Sequence, residues 1–410
     1  MNGNIIRYMA AGVAVLLLVV GVWLVFFHTS SSTPSADTTS GFGVGDNRVV
    51  TVPASGAPDT SNNVITEGNQ TSQKIFKVAD GPVTTATLIQ TTLPTTTLAR
   101  YVLQENGHTF DLPLDNAGAV PRAVSNTTIP GTMRGIWGES GNSVILQYLD
   151  SGIVKSVYLG FPTASTTATS SALRPVQIHF LPDALTDLGT SPDGKNVVYL
   201  LRTSAGADGY IAKQDGSGPK KLFSVPLGGL LVSWPAQNTI LLETKSAVGV
   251  PGAAFSVNAQ SGAVVALLYA SGLTATADKT FNTVVYQTSD GSGATSYAHN
   301  IKTGKDSSLA FNPIPEKCTW SGGASDTLYC AAPLDAVPSN YLDLWHQGAA
   351  SIADAILLYN FSTGGSSIVA TPGTVDGGED SDVSELAVSP DEHYLLFIKK
   401  SDRSLWAVRL

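Results

Sequence analysis

Charged residues are scarce in this chain, and the shortage excludes several classes of protein. Only 13% of the 410 residues are Asp, Glu, Lys or Arg, whereas a typical soluble domain has about 25%. The net charge is −9, and the sequence has none of the clustered Lys and Arg that nucleic-acid-binding proteins need. We therefore predict no nucleic-acid partner and no docking on an anionic lipid surface.

Sequence motifs of catalysis are also missing. The chain has no G-x-S-x-G elbow, no H-E-x-x-H pair and no Walker loop, and its six histidines lack the spacing of metal ligands. These patterns predict no catalytic residue, no metal ligand and no cofactor, and they favour a protein that is not an enzyme.

Long helical periodicity is absent as well, except near the N-terminus. Instead, 40 Gly and 22 Pro punctuate the whole length. Short apolar runs between small polar turns are typical of many short β-strands. The sequence thus predicts an all-β fold.

One long apolar run occupies residues 8–27, with Arg7 before it and no other charged residue until Asp37. A helix of this length spans about 30 Å, the thickness of one hydrocarbon core. We predict that residues 1–28 are a cytoplasmic tip and a single transmembrane anchor, with the rest of the chain outside the cytoplasm. A cleaved signal peptide is the alternative. Residues 29–72 are rich in Ser, Thr, Gly and Pro, which predicts a flexible stalk.

The chain has only two cysteines, Cys318 and Cys330. If the residues between them form a hairpin that turns near Ala324, the two cysteines lie opposite each other, close enough for a disulfide. Two buried, reduced thiols are the alternative. An extracytoplasmic location favours the disulfide.

A tight polar turn followed by an apolar run recurs along the chain. Residues 191–194 (SPDG) precede the run 195–199, and residues 389–392 (SPDE) precede the run 393–397. Degenerate copies begin near Trp137, Trp234 and Trp320. Most starts are roughly 42–53 residues apart, the period of a four-stranded propeller blade. About seven blades are predicted, with six or eight still possible.

The phrase SPDG, an apolar strand and then a short strand ending in a D-G or T-G turn together resemble the TolB-type (PD40, WD40-like) β-propeller repeat. The resemblance covers about residues 74–410, with Thr190 and Val388 where the repeat usually has Trp before SPDG. It implies a propeller, which we place at residues 73–410. The last blade shows only three strands up to Leu410, so we predict that the strand 74–78 completes this blade and closes the ring. It also implies a protein-binding scaffold of the bacterial cell envelope.

One insertion breaks the repeat, at residues 333–354, and we expect it on the propeller face that usually carries binding sites. Residues 341–348 could form a short helix. Together with the inter-blade loop 376–385, this segment predicts a binding face with aromatic and acidic side chains. Its residues are Tyr341, Asp343, Trp345, His346, Asp376, Glu379, Asp380 and Asp382. A protein partner, a glycan or Ca²⁺ would suit these side chains, but the acidic run lacks EF-hand spacing. The alternative is a solvated acidic loop beside an insertion that plugs the channel mouth.

Overall fold

The structure is a computed structural model that describes residues 73–410 except 93–94, 117, 163–174, 184, 323–325 and 375–380. The predicted anchor and stalk lie outside these residues and remain predictions. Within the described part, no helix has both the length and the apolar character that a membrane crossing needs.

The described strands form seven four-stranded antiparallel sheets, the blades of a seven-bladed propeller. Blades one to four follow chain order, and the first strand of each blade lies nearest the axis. Their strands are β2 (Val83–Thr92), β3 (Thr95–Leu103), β4 (Thr109–Pro113), β5 (Arg122–Ser125); β6 (Thr132–Trp137), β7 (Ser143–Asp150), β8 (Ile153–Gly160), β9 (Gln177–Phe180); β10 (Leu185–Thr190), β11 (Asn196–Thr203), β12 (Gly206–Lys213), β13 (Lys220–Val225); β14 (Leu230–Ala236), β15 (Thr239–Thr244), β16 (Pro251–Asn258), β17 (Val264–Ser271).

Blades five to seven complete the ring, and the outermost strand of blade seven comes from the start of the described chain. Their strands are β18 (Thr274–Ala277), β19 (Thr283–Asp290), β20 (Gly293–Asn300), β21 (Lys305–Ser308); β22 (Cys318–Trp320), β23 (Thr327–Pro333), β24 (Asp354–Asn360), β25 (Gly365–Ala370); β26 (Val383–Val388), β27 (Tyr394–Lys399), β28 (Leu405–Arg409), β1 (Ile75–Ala79). Strand β1 pairs antiparallel with β28, so the two ends of the propeller meet in one sheet.

Short helical segments occur only between these strands in the described residues. Helix α1 is Tyr341–His346, and 3₁₀ turns span Glu139–Gly141, Pro315–Lys317 and Pro372–Thr374.

The hydrophobic core lies between the blades rather than inside them. Seven clusters of buried residues each join two neighbouring blades, including one between blade seven and blade one. Every central strand has two faces to bury in such a stack, which explains the continuous apolar runs of β11 and β27. A further cluster lies under the insertion.

The SPDG turns hold the first two strands of their blades together. Asp193 Oδ1 accepts hydrogen bonds from Ser191 Oγ (2.6 Å) and from the Lys195 N–H (3.2 Å). Asp391 accepts the equivalent bonds from Ser389 Oγ and the His393 N–H. The fourth residue of the second turn, Glu392, has φ +57°, the left-handed conformation that Gly194 adopts at φ +66°. Both aspartates therefore have a structural role.

Because the strands are antiparallel, loops from second to third strands lie on the same face as loops between blades. We call this the upper face. The insertion belongs to it, since it joins β23 to β24.

Candidate functional site

The insertion packs on the upper face through its helix. Tyr341 and Leu342 in the first turn of α1 are buried against Ile314, with Trp345 and Val248 at the margin of the cluster. Asp343 Oδ1 accepts a hydrogen bond from the Val248 N–H of blade four (2.9 Å). The insertion of blade six therefore reaches blade four.

Beneath the helix lies a buried charged cluster, which we call the lysine cluster: Lys317, Asp354, Asp382, Trp345 and Lys400. Lys317 Nζ is 2.5 Å from Asp354 Oδ2 and 2.7 Å from Asp382 Oδ1. The side chain of Lys317 is 1% exposed and those of both aspartates are 0% exposed. Removing three charges from water is costly, so these contacts must compensate each other.

The remaining members of the lysine cluster attach it to the insertion and to blade seven. Trp345 Nε1 donates to Asp382 Oδ1 (3.1 Å). Lys400 Nζ lies over the Trp345 ring at 4.4 Å, donates to the Trp345 carbonyl (2.8 Å) and is 3.6 Å from Asp382 Oδ2. A cation over an indole ring is a favourable contact.

Burial changes the protonation behaviour of this cluster. It raises the pKa of Asp354 to about 6, and Lys317 only partly opposes that shift. Burial also lowers the pKa of Lys400, against the attraction of Asp382. The pKa of the Tyr341 hydroxyl is raised, first by burial and then by Asp354 and Asp382.

Several buried polar atoms here have no hydrogen-bond partner among the described residues. They are Asp354 Oδ1, Asp382 Oδ2, Ser381 Oγ and the Tyr341 hydroxyl. Such orphans are rare in folded proteins and point to chemistry or to ordered water.

A second acidic group lines the mouth of the central channel. His346 Nε2 is 3.0 Å from Glu316 Oε1, and this bond raises the pKa of His346. Glu243 of blade four accepts the Ala275 N–H of blade five (2.8 Å). Burial in the channel, then repulsion from Glu316, raises the pKa of Glu243 to about 8. At neutral pH this carboxyl is largely protonated.

One cavity borders these elements. It has a volume of about 270 Å³, lies between blades one, six and seven, and is lined by Glu316, Cys318 and Glu385 among others. Another cavity of about 500 Å³ lies away from the site, between blades two and three on the opposite face.

Cys318 and Cys330 form a disulfide, as the sequence predicts. They are direct partners in the β22–β23 ladder, with Cα atoms 4.0 Å apart. The bond begins one residue after Lys317, so it fixes the strand that follows the lysine cluster.

The structure brings together part of the predicted binding face. Trp345 and Asp382 meet in the lysine cluster, Tyr341 lies buried beside it, and Asp343 and His346 anchor the helix. Asp376, Glu379 and Asp380 lie outside the described residues. In the described part, no three Asp, Glu, His or Cys side chains form a group that could hold a metal ion. The Ca²⁺ idea therefore gains no support there.

Sequence reasoning missed Lys317, Asp354, Glu316 and Lys400. None of them stands in a motif. The one available signal was a lone lysine, Lys317, next to an apolar strand in a chain with few charges.

No protein family matches the sequence, and no curated protein does. Solved structures resemble the fold at low identity. Oligogalacturonate lyase from Vibrio parahaemolyticus has TM-score 0.49 and 10% identity, covering 81% of this chain and 92% of that one. Hydrazine synthase from Kuenenia stuttgartiensis has TM-score 0.47 and 11% identity, with coverages of 76% and 92%. TolB from Acinetobacter baumannii has TM-score 0.42 and 11% identity, with 79% of each chain covered. These likenesses concern the fold alone, and membership of the PD40 family remains a prediction.

Proposed function

We propose that this protein is a scaffold of the bacterial cell envelope, anchored through residues 8–27, whose upper face binds another envelope protein. The anchor and the location rest on the sequence: the apolar run, Arg7 before it and the stalk after it.

The observation that carries the binding proposal is the distribution of exposed aliphatic side chains. Seven large exposed hydrophobic residues lie in loops of the upper face or at the strand ends beside them: Met133, Leu149, Ile153, Val154, Leu227, Val250 and Leu334. Among the described residues, the loops and chain end of the opposite face expose Val120 and Leu410 from this class, and the outermost strands of the blades expose Ile178, Phe180, Val265, Tyr269 and Ile368. An excess of apolar side chains at the loops of one face is typical of a protein interface.

The insertion supports the same proposal because its polar groups are used internally. Asp343 binds a backbone N–H, and Asp382 and Trp345 bind each other. These contacts make the insertion a rigid, protruding part of the upper face rather than an open catalytic cleft. A preorganised surface of this kind binds a partner at lower entropic cost.

Crosslinking and pull-down from native membranes test this function. The variant L149D/V154D introduces charges on the β7–β8 hairpin of the upper face, and V120D is the matched control on the opposite face. We expect the wild type and V120D to capture the same protein, and the double variant to lose at least about tenfold of it, since a buried unpaired charge is costly at an interface. Equal capture by all three would contradict the proposal.

Glycan binding or processing by loops 333–354 and 376–385 is the second candidate. It is favoured by one observation: Glu243, protonated at neutral pH, lies near Glu316 and His346 at the channel mouth. Carboxyls with shifted pKa values in a cleft are typical of glycoside chemistry. Titration with a panel of envelope oligosaccharides, comparing wild type with E243Q and E316Q, tests it. Absence of binding by the wild type would remove this candidate.

A further inference from the structure

The lysine cluster places an amine against a carboxyl group in a dry pocket. Lys317 Nζ lies 2.5 Å from Asp354 Oδ2. The Lys317 side chain is 1% exposed and the Asp354 side chain is 0% exposed. A second carboxylate, Asp382, lies 2.7 Å from the same nitrogen. This arrangement holds a nucleophile (the Lys317 amine), an electrophile (the Asp354 carboxyl group) and a proton acceptor (Asp382) in contact. No sequence motif and no cofactor is needed.

The two oxygens of Asp354 have different surroundings. Oδ2 accepts the Val383 N–H (2.8 Å) as well as the lysine, whereas Oδ1 has no hydrogen-bond partner among the described residues. A backbone N–H on Oδ2 would stabilise the negative charge that develops there during attack on the carboxyl carbon. Oδ1 accepts no hydrogen bond from the described residues, so it is the oxygen that can depart as the leaving group.

We propose that Lys317 and Asp354 become joined by an isopeptide bond that the folded chain forms by itself, with Asp382 transferring the protons. This modification is independent of the function proposed above.

The step balances without any further reactant. The Lys317 ammonium gives a proton to the Asp382 carboxylate, and the neutral nitrogen attacks the carbon of the protonated Asp354 carboxyl group. The new C–N bond forms, the bond from that carbon to Oδ1 breaks, and Oδ1 leaves as water. Of the three ammonium protons, one stays on the amide nitrogen, one departs with the water and one is left on Asp382. The raised pKa of Asp354, about 6, keeps its protonated form accessible near neutral pH.

The product suits the pocket better than the ions do. Lys317 and Asp354 would lose their charges, and the amide N–H would still face Asp382 Oδ1. Once Asp382 has released the transferred proton to solvent, it would keep Lys400 as its counter-ion at 3.6 Å and Trp345 as its donor at 3.1 Å. Two buried charges then no longer need compensation.

The bond would join the chain just before β22 to the start of β24, across β22, β23 and the insertion. Lys317 precedes β22, and Asp354 is the first residue of β24 after the insertion. The closed segment contains the disulfide hairpin and helix α1, so the insertion would be anchored covalently at its base.

Intact mass spectrometry tests the proposal. The full-length chain is purified in detergent, then reduced and denatured before its mass is measured. We expect the wild type to be lighter than its sequence by one water molecule. Peptide mapping should show no tryptic cleavage after Lys317 and one branched peptide containing Lys317 and Asp354. Full sequence mass, with the two residues in separate peptides, would overturn the proposal.

Variants assign the roles. K317M and D354A should have full sequence mass. D382N keeps the shape of the side chain but cannot accept the proton, and we expect it to form at least about tenfold less of the bond. D335N, at an exposed carboxylate of the insertion outside the lysine cluster, is the matched control and should retain the bond. Should D382N fail to fold, the wild-type mass and the branched peptide still decide. A bond formed equally well in D382N would remove Asp382 from the reaction.

Discussion

Two junctions between neighbouring blades are held by a hydrogen bond from a backbone N–H to a carboxylate. They differ because only one of them lies beneath the insertion. Between blades three and four, Asp187 Oδ2 accepts the Val232 N–H (2.7 Å). Between blades six and seven, Asp354 Oδ2 accepts the Val383 N–H (2.8 Å). In each case a carboxylate of one blade binds the first strand of the next. The acceptors come from different strands, a first strand in blade three and a third strand in blade six.

The cations beside these carboxylates differ in exposure. Arg134, which pairs with Asp187 Oδ1, is 47% exposed, whereas Lys317 is 1% exposed because the insertion lies above it. A pair with one exposed partner, such as Arg134 beside the buried Asp187, is partly screened by water, while a pair that is buried on both sides cannot lose one partner cheaply. The insertion thus converts an ordinary junction into a dry, tightly coupled one.

The largest difference between the two junctions should appear when the cation beside each carboxylate is removed and the loss of unfolding free energy is compared. K317M leaves Asp354 and Asp382 buried without their shared lysine, and we expect the free energy of unfolding to fall by about 3–5 kcal/mol. R134M, the matched variant, should cost about 1 kcal/mol or less, since Asp187 keeps the Val232 N–H. Urea unfolding measures both. Equal losses would break the comparison.

The disulfide adds to the blade-six side only, and its loss should rank second. The variant C318A/C330A should lower the free energy of unfolding by about 3 kcal/mol. This is the loss of unfolded-chain entropy expected when a disulfide closes a loop of this short length. Dithiothreitol should destabilise the wild type by a similar amount and leave the double variant unchanged. A wild type insensitive to reduction would argue that the bond contributes nothing to stability.

The junction between blades four and five extends the comparison to pH. Glu243 holds the Ala275 N–H there, with its pKa raised from 4.5 to about 8. The folded chain binds this proton more tightly than the unfolded chain. The stability from Glu243 is therefore complete below about pH 4.5 and is lost as pH rises through about 8.

We expect that loss to be about 1–2 kcal/mol, less than the full linkage value, because channel water screens the group. E243Q should flatten the pH profile of thermal unfolding between pH 5 and pH 8 (about three units), whereas E105Q at an exposed site should leave it unchanged. An unchanged profile in E243Q would show that Glu243 titrates normally.

The smallest effect should come from the bond between the insertion and blade four. D343A removes the acceptor of the Val248 N–H, and one such hydrogen bond contributes about 1 kcal/mol. D335A, an exposed site in the same insertion, is the control and should be near neutral. If both variants are neutral, the insertion is held by its apolar contacts, by the lysine cluster and by the bond between His346 and Glu316.

Much of the fold could be predicted because its signals are local. The turns at Asp193 and Asp391, the strands after them and the hairpin of Cys318 and Cys330 all depend on residues close in sequence. The seven-bladed count follows from the spacing of these turns. A short helix was expected within residues 341–348, and the structure has one at Tyr341–His346.

The candidate site could be predicted only in part, for the same reason. The aromatic residues of the insertion were expected beside carboxylates, and Trp345 does meet Asp382. Lys317, Asp354 and Lys400 come from a 3₁₀ turn, the start of β24 and the turn after β27, and nothing near them in sequence marks them as partners. Their meeting depends on how blades six and seven stack.

By itself, the sequence determined the all-β class, the repeat, the disulfide and the position of the insertion, since turn chemistry and alternating strands act over a few residues. The tertiary structure alone decided that Lys317 is buried between Asp354 and Asp382 and that burial raises the pKa of Glu243. Burial and long-range charge contacts exist only once the ring has closed, and they set the chemistry of this site.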